Sequence, residues 1–382
     1  MNFNVLPATT SDYRLRAKQR LPKFLFDYID GGANKEITLA VNCSDFDRYT
    51  LKQQVLRDVS NVDTSTVLSG KPVSMPLALA PIGMAGMMAR RGETLGARAA
   101  KNAGVPFTLS TVGVCSAEEV KTATNTDFWF QLYMLRDRKA VQSIVDRAQA
   151  VGCDTLVFTV DLPIAGMRHR DQRNGMASNG LLETLTRASQ LLTHPRWAFD
   201  VGLHGRPHTI GNLSDLVQAS SGLSDFKNFI DSQFDASVTR KDIDWLRSIW
   251  PGRLILKGIM EIDDAQRAVE TGADAIIVSN HGGRQLDSVG SSLSKLPDIA
   301  DTVGDQIEVF MDGGIRNGID VIKAVALGAK GVLIGRPWIW AVAGSGEAGL
   351  TQLLNTFQQE MAVAMALMGV TRIDQLDRGL LE

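Results

Sequence analysis

GADAIIVSNHGGR (272–284) is the stretch whose reading decides the fold. A glycine able to stop a helix comes first, then an apolar run, then a loop of small, polar and ionisable residues. GVPFTLS (104–110), GCDTLVFTVD (152–161) and GAKGVLIGR (328–336) repeat the layout. Apolar runs of this kind recur at 77–80, 107–110, 128–132, 155–160, 254–257, 275–279, 307–311 and 331–334. Near-continuous apolar runs suit strands buried on both faces of a parallel sheet. Between them lie amphipathic helical patterns, for example at 93–103, 137–151, 262–270 and 319–327. Gly104, Gly152, Gly272 and Gly328 are placed to end these helices in the left-handed conformation. Alternating β and α predicts the α/β class, and eight units predict a single (β/α)8 TIM barrel. An open doubly wound sheet is the alternative. It would favour a GxGxxG turn after the first strand, where this chain has PIGMAGMM (81–88).

Two segments exceed a minimal barrel. Residues 1–70 read as a helical cap, with helices at 12–20 and 22–28 ended by Gly31 and Gly32, within one domain spanning 1–382. The gap between the fourth and fifth strands holds an insertion, 174–240. In it Leu181, Leu182, Leu185, Ala188, Leu191 and Leu192 fall on a helical stripe, followed by Trp197 and Phe199, with Arg187 and Arg196 nearby. Two readings stand side by side: a lid over the active site, or an amphipathic membrane-surface segment.

The chain has 382 residues and 44% are hydrophobic, enough for a large core, which excludes intrinsic disorder. Lys and Arg total 40 against 42 Asp and Glu, so there is no basic excess of the kind a nucleic-acid binder carries. Cys43, Cys115 and Cys153 form neither a disulfide framework nor a metal set, and the five histidines lack zinc spacing. No metal is expected, and a reducing compartment is the simpler setting. The N-terminal MNFNVLPATTSDYR lacks the pattern of a signal peptide. The uncharged stretch 72–89 carries three prolines and two glycines, so no membrane-spanning helix is expected there. The expected location is the cytoplasm, or the cytoplasmic side of the inner membrane as a peripheral protein.

In a barrel of this kind active-site groups come from the C-terminal strand ends. DGGIRNG (312–318) and Gly335-Arg336 follow the seventh and eighth strands, the usual phosphate seat of the fold, and add two guanidinium groups. Lys257 ends a strongly apolar strand, where a cation is costly without an anionic or electron-rich neighbour. A structural ion pair or Schiff-base chemistry would also account for it. His281, between a strand end and two glycines, is a candidate base, and Arg284 three residues on is a carboxylate fork. Asp161, at the end of the fourth strand, is placed to orient and stabilise a charged His281, and Arg168 offers a second positive charge.

SNHGGRQLD (279–287), DGGIRNG (312–318), FQLY (130–133), TVDLP (159–163), LPKFLFDYIDGGA (21–33) and RRGE (90–93) together resemble the FMN-dependent α-hydroxy-acid dehydrogenases and oxidases. The resemblance spans residues 12–369. It is nearest to the respiratory branch that oxidises L-lactate to pyruvate, with the mandelate-oxidising branch as rival and plant-type glycolate oxidases more distant. It implies FMN as cofactor and His281 as the base, with Asp161 stabilising it. Arg284 and Arg168 would bind the substrate carboxylate, and Tyr28 and Tyr133 would hydrogen-bond the substrate. Lys257 would lie at the N1–C2 edge of the flavin. Ser110, Gln131, Thr159 and Ser279, with backbone of Ile82 and Gly83, would contact the ring or its chain. Asp312, Gly313, Gly314, Arg316, Gly335 and Arg336 would hold the ribityl and phosphate groups. It also implies a quinone or other respiratory acceptor, peripheral membrane contact and a homotetramer. Where glycolate oxidases carry a tryptophan and a leucine near the substrate, this chain has Val112 and Ala165, so larger hydroxy acids remain open. Competing readings are an oxygen-using oxidase and, from another class, a phosphate-binding barrel lyase or isomerase working through Lys257.

Overall fold

Thr9 opens the chain's first helix with a reciprocal cap: its side chain accepts from the Asp12 amide while the Asp12 carboxylate accepts from the Thr9 amide. The structure, a computed structural model, describes residues 6–176, 180–213 and 232–382. The cap comprises α1 (Thr10–Arg20), α2 (Lys23–Asp30) and α3 (Ile37–Ser44). The barrel strands are β1 (Leu77–Leu79), β2 (Thr108–Ser110), β3 (Trp129–Leu132), β4 (Thr155–Thr159), β5 (Arg253–Ile259), β6 (Ala275–Val278), β7 (Glu308–Asp312) and β8 (Gly331–Ile334). All eight pair in parallel, and β8 pairs with β1. The ring closes between β1 and β2 through a single parallel bridge, Leu79 with Phe107, where the Leu79 amide donates to the Pro106 carbonyl at 2.8 Å. Each strand sits within a residue or two of its predicted run. Gly104, Gly152, Gly272 and Gly328 all have positive φ, as their placement after the helices predicts.

Period-two alternation explains why the runs look uniformly apolar. One set of strand residues faces the barrel axis: Ala78, Trp129, Val157, Ile255, Ala275, Ile277, Phe310 and Leu333 form one buried cluster. Their alternates, such as Leu79, Leu109, Phe130, Phe158, Leu256 and Ile276, face the helices in the larger cluster. Leu68 and Val73 also belong to the inner cluster. They come from a short antiparallel hairpin, Thr66–Leu68 with Lys71–Val73, absent from the sequence expectation. The hairpin plugs the barrel on the side away from the strand C-termini, where Leu68 is packed against Gly331 at the start of β8.

The last strand leads into a helical segment, Arg336–Leu367, that breaks its helical geometry at Gly346 and packs on α1. Its length was also not foreseen. In the insertion, helix Leu181–Leu192 forms as the stripe predicts, but only Leu191 of its leucines packs against the core. Leu181, Leu182, Leu185 and Leu192 are exposed, Leu182 by 74% and Leu192 by 82%. The opposite side docks by polar contacts: Gln190 accepts from the Phe24 amide at the start of α2 and donates to the Asn174 carbonyl. Trp197 is buried, donating to the Met87 carbonyl at 2.9 Å, so the stripe and the Trp197 turn serve different purposes. Insertion residues 177–179 and 214–231 lie outside the described residues.

Leu68→Ala removes the apolar plug from the barrel floor. The expected result is a loss of about 2–5 kcal/mol, read as a lower urea midpoint with an unchanged slope.

Candidate active site

The strand C-termini open into one cleft. Its walls include Tyr28, Ile82, Gly83, Tyr133, Thr159, Arg168, Lys257, His281, Arg284, Asp312, Gly313, Gly314, Arg316, Gly335 and Arg336. The predicted residues from seven strand ends, the cap and the loop after β4 that carries Arg168 therefore meet. Ser110, Gln131 and Ser279 are buried and join the wall through hydrogen bonds. The Ser110 hydroxyl donates to Gln131 Oε1 and Gln131 Nε2 donates to Thr159 Oγ1, each at 3.0 Å. Ser279 Oγ accepts from Lys257 Nζ at 2.9 Å and from the His281 amide at 3.1 Å.

His281 Nδ1 lies 2.8 Å from Asp161 Oδ1. With its proton on Nδ1 and donated to that carboxylate, Nε2 is left as the acceptor. His281, Gly282 and Gly283 all have positive φ, a loop that only glycine adopts without strain at its last two positions. The neighbouring strand makes room for the pair. β5 is irregular between Lys257 and Ile259, and a Cβ at Gly258, whose φ is +110°, would come within 2.6 Å of the Asp161 Cβ and Cγ. Gly258 did not appear in the sequence reading, yet an isolated glycine within an apolar strand is the usual mark of a bulge or a close approach. Burial pushes the His281 pKa below its ordinary value. Asp161 opposes that shift, and Lys257 and Arg168 add to it. Burial also pushes Asp161 up, but His281 and Lys257 outweigh it and hold the carboxyl below its ordinary range. The result is a neutral imidazole beside an ionised carboxylate, which is the state a general base needs.

Lys257 is 4% exposed, with Nζ 2.8 Å from Asp312 Oδ2. Burial alone would lower its pKa, but Asp312 and Asp161 reverse the sign and keep the ammonium charged. Schiff-base formation requires the free amine. The lyase or isomerase alternative therefore loses the one residue it rested on.

The anion-binding side is strongly cationic. Arg168, Lys257, Arg284, Arg316 and Arg336 line the cleft against Asp171 and Asp312. Arg284 stacks over the Tyr28 ring at 5.0 Å, and its Nη1 donates to the carbonyls of Tyr28 and Gly31. That leaves Nε and Nη2 for a carboxylate. Burial and Arg168 press its pKa down to about 10. The buried Arg168 Nε and Asp312 Oδ1 have no hydrogen-bond partner among the described residues. Half-buried Tyr133, its hydroxyl pKa raised mainly by desolvation, packs against Phe234 with ring centroids 4.8 Å apart. Arg316 lies over Trp340 at 5.3 Å. Arg336 departs from a simple phosphate ligand: it donates to the backbone carbonyls of Asp30, Gly31 and Gly282.

These features fit FMN. A dianionic phosphate would balance the cationic mouth at Gly313, Gly314, Gly335, Arg316 and Arg336. A side chain at Gly83 would reach 2.7 Å from Val112 and 3.2 Å from the Tyr28 hydroxyl, so the glycine keeps the wall flat where a ring would lie. Val112 and Ala165 both line the cleft, as the sequence reading supposed, together with Met176 and Phe234, which it did not name.

Gly258→Ala forces Asp161 away from His281. Loss of the carboxylate removes the interaction that raises the His281 pKa. The imidazole should then titrate at still lower pH, read by NMR of the ring nitrogens.

The family model described as FMN-dependent dehydrogenase matches residues 17–382. The chain is 52% identical over 374 residues to an L-lactate dehydrogenase of Caulobacter sp. (strain K31), covering 98% of each chain. It is 50% identical over 374 residues to an L-lactate dehydrogenase of Alcaligenes faecalis, again covering 98% of each. Among solved structures, the monotopic membrane protein (S)-mandelate dehydrogenase superposes with a TM-score of 0.92 at 35% identity, over 99% of this chain and 100% of that one. A mandelate oxidase gives 0.83 at 36% identity, over 99% and 98%. With its strand-end residues assembled in one cationic cleft and its whole barrel matched, the chain belongs to the FMN-dependent dehydrogenase family.

Proposed function

We propose that the protein is an FMN-dependent L-lactate dehydrogenase that oxidises the 2-hydroxy acid to pyruvate and passes the electrons to a membrane quinone. The observation that carries the chemistry is the His281–Asp161 pair facing Arg284 and Arg168 across one cleft. The identity of about 50% over the full chain to proteins named L-lactate dehydrogenase supports the choice of substrate.

Arg284 and Arg168 hold the substrate carboxylate, and Tyr28 and Tyr133 fix its oxygen atoms. His281 Nε2 takes a proton from the substrate, and Asp161 stabilises the imidazolium so formed. FMN, when bound, supplies the two-electron acceptor. It would be held by Thr159, Gln131, Ser110, Lys257 and Ser279 at the ring, by Ile82 and Gly83 along one wall, and at the phosphate by the loops after β7 and β8. Lys257 would supply a fixed positive charge beside the bound flavin, favouring negative charge on it. Leu162, Met176 and Phe234 exclude water from the reacting atoms. Mandelate is the second reading, favoured by the small side chains at Val112 and Ala165 and by the superposition on (S)-mandelate dehydrogenase.

The exposed leucine face of 181–192 supports membrane contact over a lid, because the face that a lid would bury points away from its own barrel. No helix among the described residues is long and apolar enough to cross a membrane. Surface insertion of Leu181, Leu182, Leu185, Leu192 and Phe199 would bring the protein to the phase that holds the quinone. Assembly as a homotetramer is part of the same proposal.

An anaerobic visible spectrum tests the reaction. The flavin band of the purified protein should bleach on adding L-lactate, and bleaching only with mandelate would move the substrate. His281→Gln should slow bleaching by about 10²- to 10⁴-fold with the flavin retained. The base works in its neutral form, and its pKa lies below the ordinary 6.5. The wild-type bleaching rate should therefore be level through neutrality and fall only as pH drops below that ordinary value.

Sedimentation with phospholipid vesicles tests location. The wild type should pellet with them, and Leu182→Asp with Leu185→Asp should remain in solution with lactate bleaching intact. A soluble wild type would remove the membrane reading, and peroxide release during turnover would favour oxygen as the acceptor.

A further inference from the structure

Arg336 begins the helix that follows β8, on the phosphate side of the cleft, yet its three hydrogen bonds go elsewhere. Nε donates to the Asp30 carbonyl at 3.2 Å, Nη2 to the Gly31 carbonyl at 2.7 Å and Nη1 to the Gly282 carbonyl at 2.9 Å. Asp30 is the last residue of α2, and Gly31 follows it. The final carbonyls of a helix have no partner within it and carry the negative end of its dipole. Here Arg336 and Arg284 supply the missing donors: Arg284 takes Tyr28 and Gly31, and Arg336 takes Asp30 and Gly31. Gly282, the third acceptor, directly follows His281. Contact there is close, since a Cβ at Gly282 would lie 2.7 Å from Arg336 Nη1.

We infer that Arg336 is a positioning residue: it ties the cofactor-phosphate loop to the end of α2 and to the His281 loop, so that one guanidinium sets the places of Tyr28, Arg284 and His281. Its charge explains the direction of the coupling. Among the described residues no carboxylate pairs with Arg336, and burial with Arg284 and Arg316 nearby lowers its pKa to about 9. A cofactor phosphate held by the loops at Gly313, Gly314 and Gly335 would provide the missing counter-charge and steady the fork on its three carbonyls. A lysine would keep the charge, but it carries its donors on one atom and cannot span three separate carbonyls.

The inference rests on reading Tyr28, His281 and Arg284 as substrate-facing groups. Hydrogen exchange is measured without substrate, so failure of the coupling is distinguishable from failure of that reading. The experiment compares FMN-loaded wild type, Arg336→Lys and Arg316→Lys. In Arg336→Lys, amide exchange in peptides covering 23–36 and 279–285 should rise roughly tenfold or more, as loss of charged hydrogen bonds implies. The visible flavin spectrum should be retained and the KM for L-lactate raised. Arg316→Lys should release flavin more readily but, kept saturated with FMN, leave the exchange of both peptides at the wild-type level. Wild-type exchange in Arg336→Lys, or an equal rise in Arg316→Lys, would overturn the coupling. If Arg336→Lys fails to retain flavin, Gly282→Ala displaces the same guanidinium without altering its charge. It should produce the same exchange signature, and unchanged exchange in the 23–36 peptide would overturn the inference.

Discussion

Burying a row of ionisable groups at the mouth of an apolar barrel is the constraint on which the rest of this molecule depends. His281, Asp161, Lys257 and Asp312 form a line in which each group is held by a neighbour, with His281 Nδ1 2.8 Å from Asp161 and Lys257 Nζ 2.8 Å from Asp312. Removing such groups from water costs several kcal/mol each unless partners replace the solvent. The partners come from β4, β5, β6 and β7, so the row exists only when the barrel has closed. In return, burial keeps the histidine neutral while Asp312 and Asp161 keep the lysine charged, which are the states a proton acceptor and a fixed electrostatic anchor require.

Small residues carry much of that arrangement. Gly258 gives Asp161 its place by having no side chain. The positive φ values from His281 to Gly283 turn the loop so that its carbonyls face Arg336 and Ala33. The cap packs on the same framework through Tyr13, Ala17, Leu25 and Ile29 and is tied further by charge: Arg14 and Arg170 hold Asp30 from two sides, and Arg170 also reaches Glu36. Arg170 lies two residues from Arg168, so this network fixes the loop that brings Arg168 to the cleft. Cap, insertion and barrel are therefore parts of one site, although each would read as an accessory when seen alone.

The exposed leucines of 181–192 obey a different rule. A helix with a polar inner side and an apolar outer side inverts the pattern of a packed helix. The inversion is consistent with a surface whose second solvent is not water. Periodicity identifies the stripe, but periodicity carries no sign: it cannot say whether the apolar side faces the core or leaves it. Trp197 illustrates the limit, since it follows the stripe in sequence and yet turns inward to the Met87 carbonyl.

What the sequence determined by itself was everything encoded locally. Eight apolar runs, their stop glycines and the polar strand ends specify the barrel and place His281, Arg284, Asp161, Lys257 and the phosphate loops at one end of it. These signals are legible because strand burial and helix termination act over a few residues. Tertiary structure decided which groups touch across long separations: the Gly258 gap that admits Asp161, the hairpin that plugs the barrel floor, the outward turn of the leucine face and the diversion of Arg336 onto the end of α2. Apart from the isolated glycine at 258, none of these leaves a local pattern, because a backbone carbonyl is present at every residue and only the closed fold determines which one a buried guanidinium meets.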